Sequence, residues 1–126
     1  MMKISVILVE DNENIRSTLK TFLEGNDISV FGSFSHQEFI AFKVDISPVI
    51  ALISFRKDYA LTACTITHSK YYYKNTKIAL LASVYDKITP KEIESLEIDG
   101  MLRFADDAIL NMALTIAEGG KYFKND

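Results

Sequence analysis

Val6-Ile7-Leu8-Val9-Glu10-Asp11-Asn12 decides how this chain is read. Four apolar residues, three of them β-branched, stop abruptly at two carboxylates and an amide that can cap a helix. An apolar run of this length suits a buried strand, and the polar triplet suits a strand-to-helix turn. Working outward, the same strand extends back to Lys3, and four more short apolar runs follow it: Asp27 to Ser33, Val49 to Ser54, Lys77 to Ala82 and Gly100 to Phe104. Helical patterns fill the gaps. Strands alternating with helices predict βαβ units around a parallel sheet, and near-continuous apolar strands suit a sheet covered on both faces.

The helix boundaries are written in capping residues. Asn12 caps a helix whose Ile15, Leu19, Phe22 and Leu23 share one face and which Gly25 ends. Ser35 with Glu38 reads as a capping box before Phe39 and Phe42, and Thr89-Pro90 with Glu92 as another, its proline at the first helical position. Asp106 is placed to cap a last helix that lays Ile109, Met112, Ala113, Ile116 and Ala117 on the sheet and stops at Gly119-Gly120. Between them Asp58 would cap a helix with Leu61, Cys64 and His68 at helical spacing, although its threonines lower helix propensity.

The 126 residues are 48% apolar and 25% charged, enough for one self-sufficient domain over residues 1–126 and unlike a disordered chain. No internal repeat or flexible linker divides it. Fourteen basic against seventeen acidic residues give a net charge of −3, which argues against direct nucleic-acid binding. The single Cys64 cannot close an internal disulfide, and no apolar run approaches the roughly 20 residues of a membrane span. The expectation is a cytoplasmic setting with no membrane contact.

Chemistry in an open parallel sheet gathers outside the carboxyl ends of the strands. Those ends offer Glu10 and Asp11, then Ser54, Ala82-Ser83 and Arg103-Phe104. Two adjacent carboxylates are ligands for a hard cation such as Mg²⁺, though two alone make a weak site.

With these residues in view, the chain resembles a response-regulator receiver domain. The likeness rests on the opening Val6 to Asn12, on Ile28-Ser29-Val30-Phe31-Gly32-Ser33, and on Ile98-Asp99-Gly100 through Gly119-Gly120-Lys121-Tyr122-Phe123, and is weakest from Arg56 to Thr76. The closing Ile116 to Phe123 is similar to the LuxR/NarL-type branch, in which a helix-turn-helix DNA-binding domain usually follows; the resemblance leaves room for one after Asp126. It implies an α/β, flavodoxin-like (βα)5 doubly wound sheet in strand order 2-1-3-4-5. It also implies a switch in which an acidic pair holds Mg²⁺, an aspartate ending the third strand takes a phosphoryl group, and a Ser/Thr and a lysine contact it. A histidine kinase or other regulatory protein would be the partner, and a homodimer the assembly, through the last helix and its flanking strand.

This sequence departs from that pattern. The alignment puts Ser54 at the phosphoacceptor, Ala82 at the Ser/Thr position, Phe104 at the lysine position and Met101 where an aromatic switch residue is usual. A serine hydroxyl without an adjacent base is a poor substitute for an attacking carboxylate, Ala82 donates no hydrogen bond, and Phe104 carries no charge. Shifting the fourth strand forward brings in Ser83, but the fifth must shift backward to bring in Arg103, so no common slip restores both; Asp45 and Asp58 fall out of register.

The expected function is therefore a phosphorylation-independent pseudo-receiver, a protein-interaction and dimerisation module without catalysis or required cofactor. The alternative is a receiver with altered input, phosphorylated on Ser54 or binding a divalent metal at Glu10 and Asp11. A flavodoxin-like enzyme fits less well, because Glu10, Asp11 and Glu13 would repel a phosphate from the first loop. Simpler readings take the rest: Lys70-Tyr71-Tyr72-Tyr73-Lys74 as a partly buried helix end rather than a nucleic-acid stacking surface, His36 as a helix-start residue, His68 as a half-exposed one, and Cys64 as a small core residue.

Overall fold

The computed structural model describes residues 4–41, 48–55, 59–83, 86–103 and 106–124. Eleven elements alternate along them: β1 (Ser5–Val9), α1 (Glu13–Glu24), β2 (Ser29–Phe34), α2 (His36–Ala41), β3 (Ile50–Ser54), α3 (Tyr59–Tyr72), β4 (Lys77–Ala82), α4 (Pro90–Leu96), β5 (Gly100–Arg103), α5 (Asp106–Ala117) and β6 (Tyr122–Lys124). The strands form one sheet in the order β2-β1-β3-β4-β5-β6, every pairing parallel. The first five strands follow the expected flavodoxin-like order, and β6 is an addition at the edge.

Side chains alternate across the sheet and build two cores. On one face Val6, Leu8, Ile50, Leu52, Leu81 and Leu102 meet Leu19 and Leu23 of α1 and Ile109, Met112 and Ile116 of α5. On the other, Ile7, Val9, Ile53, Leu80 and Met101 meet Phe39 of α2, Ile66 of α3 and Leu96 of α4. β3 is buried along its whole length, as its uninterrupted apolar sequence requires.

The caps form as expected. Asn12 Oδ1 accepts from the Ile15 N–H at 3.1 Å. The Ser35–Glu38 and Thr89–Glu92 boxes both close reciprocally, the latter with Pro90 in the first turn. Asp45, Asp58 and Phe104, together with the capping side chain of Asp106, lie outside the described residues.

Four expectations need correction. Ile15 does not join the buried face of α1 but stays 40% exposed, at the rim of a cavity described below. α3 exists but is turned by one residue, about 100° of helix, from the expected face. It buries Thr62, Thr65, Ile66 and Ser69, and leaves Cys64 exposed rather than in the core. Threonine can be buried there because its hydroxyl finds a partner: that of Thr65 donates back to the Leu61 carbonyl at 2.9 Å. The fourth correction is β6. Gly119, at φ 93°, turns the chain back after α5, and Tyr122 N–H then donates to the Asp99 carbonyl at 3.0 Å to start a strand beside β5.

Candidate functional site

β1, β3 and β4 end together, and their terminal residues surround a cavity of about 120 Å³ lined by Glu10, Ile15, Leu19, Ser54, Phe55, Leu81, Ala82, Ser83 and Asp86. Glu10 arrives here because its own N–H donates to the Phe34 carbonyl at 2.9 Å, which holds the first residue past β1 against the end of β2. Ser54 is the last residue of β3 and only 7% exposed. Its hydroxyl donates to Glu10 Oε1 at 2.8 Å. Glu10 Oε2 accepts the Asn12 N–H at 3.0 Å, and Arg16 Nη1 donates to the Glu10 carbonyl at 2.9 Å.

Asp11 serves another element. Its Oδ1 accepts the His36 N–H at 2.7 Å, so the second carboxylate lies at the start of α2. The two acids thus serve separate partners, and among the described residues no group of three or more His, Cys, Asp or Glu side chains comes together as a metal site. Glu10 and Asp11 are the two carboxylates that a hard cation would take as ligands, with water completing its shell, and each already accepts a hydrogen bond, Glu10 from Ser54 and Asn12 and Asp11 from the His36 N–H.

Of the sequence-derived positions, Glu10, Ser54 and Ala82 therefore share one cavity. Asp11 sits beside it, engaged with α2. Met101, fully buried on β5, faces the opposite core between α4 and the edge strand, in register with Phe123 of β6. Phe104, assigned to the lysine position, falls outside the described residues.

Three residues that the sequence did not assign to the site complete it. Asp86 Oδ2 accepts the Ser83 N–H at 2.6 Å, and Arg103 Nη1 donates to the carbonyls of both Ser83 (2.8 Å) and Asp86 (2.7 Å). The guanidinium of β5 thereby holds both ends of the segment that leaves β4. His36 starts α2, as the sequence indicates, and is fully buried. Its Nε2 lies 2.8 Å from the Ser54 carbonyl and its Nδ1 2.7 Å from Thr65 Oγ1. Burial pushes its pKa below the ordinary 6.5, opposed by the Ser54 carbonyl and by the Glu10 carboxylate. No spacing in the sequence brings residues 36, 54 and 65 together; only the parallel topology does.

The cluster at the end of α3 agrees with its simple reading: Tyr73 is buried, while Tyr71 and Tyr72 are exposed and meet edge to face, 4.8 Å between centroids. His68 is half-buried as expected, its ring 4.6 Å from that of Tyr72.

No family model and no curated protein matches the sequence. Solved structures do. The isolated receiver domain of RcsB from Salmonella enterica serovar Typhimurium superposes with a TM-score of 0.80 at 16% identity, over 96% of this chain and 92% of that one. A LuxR family DNA-binding response regulator from Silicibacter pomeroyi gives 0.73 at 20% identity, over 96% of each chain. A structure of two RcsB dimers bound to two parallel DNAs gives 0.79 at 15% identity, over 98% of this chain and 65% of that one. The fold is that of receiver domains, and among the described residues no helix is long and apolar enough to cross a membrane.

Proposed function

We propose that this chain is a phosphorylation-independent receiver, a regulatory protein-interaction and dimerisation module of bacterial signal transduction and transcription control. The observation that carries this reading is the Ser54–Glu10 hydrogen bond. Where the resemblance expects a carboxylate nucleophile, a hydroxyl instead gives its proton to the neighbouring acid, and Ala82 beside it offers no donor to a phosphoryl oxygen. Arg103 already anchors the segment after β4, so that segment needs no phosphoryl group to hold it in place. Information then passes through surfaces, and the domain catalyses nothing, needs no cofactor and works in the cytoplasm. RcsB, of the same fold, is found as DNA-bound dimers, which supports a dimer here with any DNA contact left to another domain. Incubation with a small acyl-phosphate donor and Mg²⁺, followed by intact-mass measurement, is expected to show no stable addition. A persistent added phosphoryl group would overturn the proposal.

One observation favours the alternative input. The Glu10 carboxylate lies at hydrogen-bond distance from Ser54 Oγ and is placed to accept its proton, so the hydroxyl does have an adjacent base. Phosphorylation of Ser54 by a Ser/Thr kinase would use that arrangement but must reach a side chain that is 7% exposed. Peptide mapping of protein isolated from its host distinguishes the two, since only the alternative yields a phosphorylated Ser54 peptide.

A further inference from the structure

The cavity bounded by the ends of β1, β3 and β4 has two unlike walls. One is apolar: Leu19, Phe55, Leu81 and Ala82 line it, and Ile15 extends it, exposed, to the mouth. The other is acidic, with Glu10 from the end of β1 and Asp86 from the segment that leaves β4. Two donors beside these acids are already committed to them, the Ser54 hydroxyl to Glu10 Oε1 at 2.8 Å and the Ser83 N–H to Asp86 Oδ2 at 2.6 Å. Arg16 and Arg103 bond to the main-chain carbonyls of Glu10, Ser83 and Asp86, and neither is among the described residues lining the cavity. An anion would meet like charge here. An inorganic cation would satisfy the acids and leave the apolar wall in contact with water.

We propose that this cavity binds a small organic cation, a primary ammonium group on a short apolar body, and that its occupancy is an input to the domain. The ammonium brings a positive charge and three donors to Glu10 and Asp86, while the hydrocarbon displaces water from Leu19, Phe55, Leu81 and Ala82. Size limits the body. A dry cavity of about 150 Å³ holds a benzene molecule, so one of about 120 Å³ takes roughly five non-hydrogen atoms. A ligand bonded to both acids joins the end of β1 to the segment that Arg103 holds from β5, and in this way its presence reaches beyond the cavity. The site rests on the receiver reading only for what occupancy controls. Phosphoryl addition is read on intact mass and amine binding by titration, so either can fail without the other.

The test is an NMR titration of the whole chain with n-butylammonium chloride at constant ionic strength, following the backbone amides. Saturable shifts centred on Ser54, Ala82 and Ser83 are expected, with a dissociation constant on the order of 1 mM for so small a ligand. Butyrate, of similar size and opposite charge, and ammonium chloride, which lacks the apolar body, should each bind at least about tenfold more weakly. From ethyl- to butylammonium each added methylene should tighten binding about fourfold, and hexylammonium, too long for the cavity, should break that trend. Glu10→Gln keeps an acceptor for the Ser54 hydroxyl, and Asp86→Asn keeps one for the Ser83 N–H, but each removes a charge and should weaken butylammonium about tenfold. Four outcomes each overturn the site: no saturable shift up to about 100 mM, butyrate binding as tightly as butylammonium, ammonium alone binding as tightly, or an unchanged affinity in both variants.

Discussion

Ser54 is the residue on which the site turns. Ser54 is almost wholly out of solvent, yet its acceptor Glu10 is half-buried and borders an open cavity, so water can partly replace the lost donor. A hydrogen bond to an ionised group contributes more than a neutral one, and solvent access reduces that advantage. Ser54→Ala is therefore expected to lower unfolding stability by about 1–2 kcal/mol, read as a lower urea midpoint at unchanged slope. An unchanged midpoint would mean that the bond stabilises nothing and that Ser54 is a space-filling residue. Sequence reasoning found Glu10 and Ser54 because both close strands, and strand ends are where a parallel sheet exposes its polar groups. It missed Arg103 as an anchor because that role depends on main-chain carbonyls of Ser83 and Asp86, which no residue identity announces.

At the scale of elements, local chemistry decides what is legible. α4 is only seven residues long, too short to persist on its own, and Thr89 supplies its first turn with an acceptor while Glu92 returns the favour. Thr89→Ala should cost about 1 kcal/mol and raise amide exchange through the first turn of α4 more than elsewhere, and uniform exchange across the chain would contradict it. Such boxes are visible in the sequence because donor and acceptor lie three residues apart. The buried face of α3 is not visible in the same way. Its pattern of Thr62, Thr65 and Ser69 looks polar, and what lets Thr65 in is the pairing of its hydroxyl with His36 from α2 and with the Leu61 carbonyl, so the burial of this helix is in part a tertiary property. Reading Leu61 and Cys64 as its core face followed hydrophobicity alone and landed one residue away.

For the molecule as a whole, the unforeseen feature is the sixth strand, which changes which edge of the sheet meets solvent. β5 would otherwise be the terminal strand; instead β6 covers it and presents Phe123, half exposed, beside Ile93 and Pro90 of α4 around a groove of about 320 Å³. The closing sequence reads as a helix stop because Gly119-Gly120 breaks the helical period, and three residues are too few to signal a strand. What admits β6 is Gly100. A Cβ at that position would lie 2.7 Å from the Tyr122 carbonyl oxygen and 2.7 Å from Ile116 Cδ1, so the glycine permits close approach of both the strand and α5. The isoleucine can move, but the carbonyl belongs to the backbone of the added strand. Gly100→Ala should therefore cost about 1–3 kcal/mol by overpacking, with β6 yielding before the core does. The amide of Tyr122, bonded to the Asp99 carbonyl, reports this directly: its exchange should accelerate far more than that of β3, where each residue is buried. If β3 and β6 lose protection together, the edge strand is not a separate unit and the first five strands do not hold the fold without it.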